Sequence, residues 1–145
     1  LPQKIGAIVA SNGKKIGEHD GAYFYTIGQR HGFALGGQTA PVYVAEKDIA
    51  TNTIVVSQEK DSALYKKELF AKDFNWISGS APNFPLKCLS RVRYRQPLQE
   101  AILFEKGLVE FLRPQRAIAP GQSVVFYGGD EILGGAIIKA ERKEK

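Results

Sequence analysis

The chemically capable side chains are densest between Gly17 and Phe33. In this stretch His19 stands between Glu18 and Asp20, and His31 follows Gln29 and Arg30. A histidine flanked by carboxylates could serve as a general base with an acid to orient its ring. The only nearby nucleophile is the Thr26 hydroxyl. The spacing of His19 and His31 also fits no regular pair of metal ligands. The same residues fit a compact turn in which His19 and its acidic neighbours satisfy backbone groups, while Tyr23, Phe24 and Tyr25 enter a core. Residues Tyr23–Ile27 suit a strand by their aromatic content. They equally suit a short helix capped by Asp20 and stopped at Gly28.

A second concentration is cationic. If Leu86–Arg95 is a strand, its alternation places Lys87, Leu89, Arg91, Arg93 and Arg95 on one face, with Leu86, Cys88, Ser90, Val92 and Tyr94 on the other. Four of the first five are cations, and like charges so close need an offset. RNA phosphates would supply one. So would Glu100, Glu105 and Glu110 on neighbouring strands. Cys88 falls on the apolar face with no histidine beside it, which suits a buried structural thiol better than an activated one.

The elements that must position these residues are mostly strands. The 15 glycines separate short, β-rich apolar runs. Gly6–Ala10 and Lys14–Gly17 flank Ser11-Asn12-Gly13, a hairpin turn. Pro41–Ala45 and Thr53–Ser57 form a second pair around the turn residues Asp48 and Asn52. Asp61–Trp76 is expected to be helical or irregular, with Asp61 or Ser62 as a cap and one short extra strand near Phe70. Phe74 and Trp76 serve as packing anchors there. The prolines of Ser78–Pro85 make a loop. Strand-like runs follow at Leu86–Arg95, Glu100–Glu105, Leu108–Leu112, Ser123–Tyr127 and Ile132–Lys139. The expected class is all-β with minor helix: a small β-rich domain over residues 1–66, then a roughly six-stranded antiparallel barrel over residues 67–145.

Composition narrows the functions. Of 145 residues, 43% are hydrophobic and 24% charged, as in a globular protein. No apolar run approaches the ~18 residues of a membrane span, so no membrane partner is expected. One cysteine and two histidines argue against a disulfide framework or a zinc site. They fit a reducing, cytoplasmic setting. No nucleotide-binding fingerprint is present. The absence of Met suggests a processed chain or a piece of a longer one. The net charge of +5 is concentrated in residues 71–145, with 12 basic and 8 acidic groups, which permits a nucleic-acid partner.

Several motifs now combine in order: Gly17-Glu18-His19-Asp20-Gly21, Thr26-Ile27-Gly28-Gln29-Arg30-His31-Gly32-Phe33, Asn75-Trp76-Ile77, Arg93-Tyr94-Arg95-Gln96, Ala119–Tyr127 and Leu133-Gly134-Gly135. Together they resemble the bacterial tRNA-specific 2-thiouridylases from about Gly6 to Ile138. That resemblance implies enzymes that use ATP with magnesium to adenylate the wobble uridine of tRNA. They then install sulfur delivered as a persulfide by a carrier protein. It implies a nucleotide-binding domain, a central domain and a C-terminal β-barrel. This chain looks like the last two, with no cofactor of its own and no sulfur transfer by itself. Cys88 matches neither catalytic cysteine of the family. The tRNA contacts implied are Arg93, Tyr94 and Gln122, with Arg91, Arg95 and Lys87 as further RNA contacts from the strand pattern. His19, Gln29 and Arg30 belong to a motif of unassigned role. His31 stands where the family usually has Lys, so a cationic contact there would depend on pH. The rival reading is a small basic β-barrel protein-interaction module without an RNA ligand.

Overall fold

The computed structural model describes residues 4–30 and 41–140. His31, Gly32 and Phe33, named above, lie outside them. The chain divides into two units, Leu1–Tyr65 and Lys66–Lys145. No helix is long and apolar enough to cross a membrane among the described residues.

The first unit contains β1 (Gly6–Ala10), β2 (Lys15–His19), β3 (Tyr43–Asp48) and β4 (Thr53–Ser57), in the sheet order β2-β1-β4-β3. Both expected hairpins form. Gly13, at φ 88°, turns β1 into β2, and Asn52, at φ 53°, lies in the turn before β4. Local signals gave no hint that β1 and β4 pair in parallel, with Ile8 opposite Ile54. That pairing joins two locally encoded hairpins through apolar burial. Ile8, Val44, Ile54 and Val56 form the core with Ala22 and Val42. Residues Ala22–Phe24 form a single 3-10 turn. A second covers Ser62–Leu64, capped by Asp61, whose carboxylate accepts from the Ala63 amide at 2.9 Å. That bond, and then the Ser11 hydroxyl at 2.7 Å, hold Asp61 below the usual carboxylate range.

The second unit is a closed barrel of β5 (Tyr65–Trp76), β6 (Leu86–Arg91), β7 (Gln99–Leu103), β8 (Leu108–Arg116), β9 (Ser123–Gly128) and β10 (Glu131–Lys139), in the order β10-β5-β8-β7-β6-β9. The helical or irregular expectation for Asp61–Trp76 is overturned beyond Leu64, because Tyr65–Trp76 is one long strand. Leu69 and Ala71 alternate inward in its first half, while Asp73, at φ 55°, breaks the period. The β10 register shifts at this point, so the strand bends and closes the barrel. The broken alternation disguised the strand. Phe74 stacks on Trp76 at 5.7 Å and on Phe126 at 6.0 Å, a packing role for both anchors. Gly134 is required by that packing, since a Cβ there would lie 2.7 Å from the Trp76 ring.

Candidate nucleic-acid interface

Strand β6 stops at Arg91. Leu86, Cys88 and Ser90 face the barrel interior. Ser90 is fully buried and donates its hydroxyl to the Val125 carbonyl at 2.8 Å. Lys87, Leu89 and Arg91 take the outer positions. The expected alternation through Arg95 fails for a local reason. The Gln96 side chain accepts from the Val92 amide at 3.1 Å, and the Gln96 amide donates to the Arg93 carbonyl at 3.2 Å. Pro97 follows, with no amide to offer a ladder. Residues Arg93–Gln96 therefore form a turn, and Arg91, Arg93 and Arg95 share no common strand face. The turn also explains how Arg93 and Tyr94 can both be presented at one end.

At this turn Arg93 is half-buried, and its guanidinium donates to the carbonyls of Arg116 and Ala117. Tyr94 is 80% exposed, and Arg95 is exposed beside it. Gln122 lies in the loop that begins at those two carbonyls. Its amide donates to Ala119, and its carbonyl accepts from Ile138 at 2.8 Å. Its backbone is thus pinned while its side chain is exposed. In the β6–β9 register Arg91 stands opposite Val125, so Arg93–Tyr94 and Gln122 leave the barrel at the same end. Arg91, Arg93, Tyr94, Arg95 and Gln122 are brought together.

Lys87 is not. It sits four residues back along β6, about 13 Å at the usual strand rise. There it lines an outer groove of about 890 Å³ with Leu89, Glu100, Glu110 and Tyr127. The groove carries both signs of charge and is no cationic track. The anticipated counter-ions do not pair either: among the described residues no ion pair joins Glu100, Glu105 or Glu110 to Lys87, Arg91 or Arg95.

Two supports were missed from sequence. Gln115 is buried, accepts from Gln96 Nε2, and donates to Gln99 Oε1 at 3.3 Å and to the Arg113 carbonyl at 2.9 Å. This amide chain ties the turn to β8. Tyr127 accepts from the Arg91 guanidinium at 2.9 Å. Amide side chains have no periodic signature, so nothing in the sequence pointed to the first of these.

In the other unit, His19 is buried and fully engaged. Its Nδ1 accepts from the Gly21 amide at 2.9 Å, which leaves Nε2 as the protonated nitrogen, donating to the Asn52 carbonyl at 3.0 Å. Both ring nitrogens are engaged, so the general-base and ligand alternatives fall and a compact turn stands. The aromatic part of that expectation is corrected: Tyr25 packs against the core, but Tyr23 and Phe24 are 58% and 51% exposed, because the 3-10 turn at Ala22–Phe24 buries Ala22 and turns both rings outward. No metal-binding group of three or more His, Cys, Asp or Glu side chains occurs among the described residues. Asn52 also accepts from the Ala22 amide and donates to the Lys4 carbonyl, both through its side chain. Gly6 lies so close that a Cβ would collide with the Asn52 carbonyl oxygen. Gln29 folds back to accept from the Thr26 amide at 2.9 Å, and its carbonyl accepts from the Val44 amide. Arg30 is exposed and bridges to Tyr43 through the backbone. His19 and Gln29 thus hold the turn through their side chains, whereas Arg30 joins β3 through its backbone. Cys88 is half-buried against the barrel core, and burial pushes its thiol up to about 11.

A family model described as a tRNA methyl transferase PRC-barrel domain matches residues 1–58, and one described as an aminomethyltransferase beta-barrel domain matches residues 66–138. The tRNA-specific 2-thiouridylase MnmA of Geobacillus thermodenitrificans is 43% identical over 95% of this chain. Its counterpart in a Marinomonas species is 45% identical over 95%, and that of Xanthomonas axonopodis pv. citri 41% identical over 97%. The chain belongs to the tRNA-specific 2-thiouridylase family. It matches the central and C-terminal domains of these 2-thiouridylases. It spans 38% of the length of the Geobacillus and Marinomonas relatives and 39% of the Xanthomonas one. The two matched segments fall one in each unit, so the motif turn around His19 and the barrel-end cluster belong to different 2-thiouridylase domains.

Proposed function

We propose that this chain is the tRNA-holding part of a 2-thiouridylase, with residues 1–66 as its central domain and residues 67–145 as its C-terminal barrel. Its task is to position tRNA so that the wobble uridine reaches chemistry carried on another domain. The observation that carries this reading is the convergence of Arg93, Tyr94 and Gln122, far apart in sequence, on one end of the barrel. An exposed aromatic ring, a half-buried guanidinium and an exposed amide are side-chain types that contact bases, phosphates and sugars. ATP with magnesium and a persulfide-bearing carrier protein belong to the complete enzyme. The setting is the cytoplasm.

The relatives are named for their action on tRNA, which favours RNA over a protein-only partner. The mixed charge of the outer groove supports binding at the barrel end over binding along the whole β6 face. The chain is expected to bind tRNA in a salt-dependent manner and to form no thiouridine by itself. Incubating it with tRNA, ATP and a persulfide donor, then digesting the RNA to nucleosides, tests this. Thiouridine made by the chain alone would place the active site here and contradict the reading.

A further inference from the structure

Arg91, anticipated as a phosphate contact, is placed otherwise. Its guanidinium lies over the Tyr127 ring at 5.3 Å from the centroid and over the Tyr94 ring at 5.8 Å. It also donates to the Tyr127 hydroxyl at 2.9 Å and to the Gln96 carbonyl at 3.5 Å. Tyr127 is only 7% exposed and fixed in β9, whereas Tyr94 is 80% exposed on the turn. The result is a layered arrangement that starts at a buried ring, passes through a planar cation, and ends at an exposed ring.

An exposed tyrosine on a turn has rotamers to choose from, and a cation beneath its face selects among them. A guanidinium does this in a way an ammonium cannot, because it is flat and can meet two rings while its fork bonds a hydroxyl and a carbonyl. The open face of Tyr94 is then a fixed platform, and every nucleobase has a π-face to lay on it.

We infer that Arg91 is a positioning residue: anchored on Tyr127, it holds Tyr94 as a stacking platform for an unpaired base of the bound tRNA. The inference rests on the tRNA-holding reading and adds the mode of contact and the residue that sets it. Arg91 acts through Tyr94, so its charge displaces few counterions when RNA binds.

The test is equilibrium binding of tRNA to the chain across a salt series for wild type, Arg91→Ala, Arg91→Lys, Tyr94→Ala, Tyr127→Phe and the Arg91→Ala/Tyr94→Ala double variant. Tyr94→Ala should weaken binding by about 5- to 150-fold, the span of one base–aromatic stack. Arg91→Ala should lose most of that same factor, Arg91→Lys should not rescue it, and the double variant should be no worse than Tyr94→Ala. Tyr127→Phe, which removes only the anchoring hydroxyl, should give a smaller loss. The salt slope should be unchanged throughout. Rescue by Arg91→Lys, or a slope made shallower by about 0.7–0.9 in Arg91→Ala, would make Arg91 a phosphate contact and overturn the inference. A loss in Tyr94→Ala with none in Arg91→Ala would overturn it too, leaving the tRNA reading intact. Absence of tRNA binding by wild type would remove that reading and the inference with it.

Discussion

His19 and Asn52 lock two hairpins together, the histidine Nε2 donating to the asparagine carbonyl at 3.0 Å while the asparagine side chain holds the Ala22 amide. Asn52 can accept this geometry because asparagine tolerates the left-handed backbone, here φ 53°. The arrangement leaves His19 no chemistry to do.

His19→Ala should therefore act on stability. It removes a buried ring and leaves the Gly21 amide and Asn52 carbonyl short of partners, a cost of about 2–4 kcal/mol. Urea unfolding of wild type and variant measures it. A midpoint unchanged by the substitution would show that the turn does not depend on the ring.

The Cys88 thiol offers a pH-dependent check. Burial penalises the thiolate and pushes the folded value up to about 11, from an ordinary 9.0. The folded state thus keeps a proton that the unfolded chain releases, and this contribution is fully present below pH ~9 and lost as pH rises toward ~11. Wild type should lose more stability across that window than Cys88→Ala. Parallel pH profiles for the two would contradict the burial of this thiol.

Much of this organisation was legible in advance. Asn12-Gly13 and the Asp48–Asn52 turn marked both hairpins, since positive φ restricts residue choice. Alternation in Leu86–Ser90 marked the inward face of β6. What escaped was non-local. Tyr65–Trp76 hid as a strand because Asp73 breaks its period, and the parallel β1–β4 contact has no local signal. The cationic ladder through Arg95 was an extrapolation of strand alternation past its end. Pairing of the Val92 amide with Gln96 ends it at Arg91, five residues before Gln96 comes into view.

Arg93 should matter through the loop it holds. Arg93→Ala removes charge-assisted bonds to the Arg116 and Ala117 carbonyls, each of a class worth about 1.5–3 kcal/mol before allowance for partial exposure. Hydrogen exchange should speed up from Ala117 to Gln122 in the variant, with β7 and β10 little changed. Exchange unaltered in that loop would show that the guanidinium is not its tether.

The claim that the barrel end holds tRNA is tested most directly by tRNA affinity across a salt series for wild type, Arg95→Ala and Gln122→Ala. Arg95 is an exposed cation on the turn, so its loss should weaken binding and make the log–log slope shallower by about 0.7–0.9, one counterion share. Gln122→Ala should weaken binding with the slope unchanged, because a neutral amide displaces no counterion. Wild-type affinity and slope in both variants would contradict the account and return the barrel end to an ordinary solvated surface.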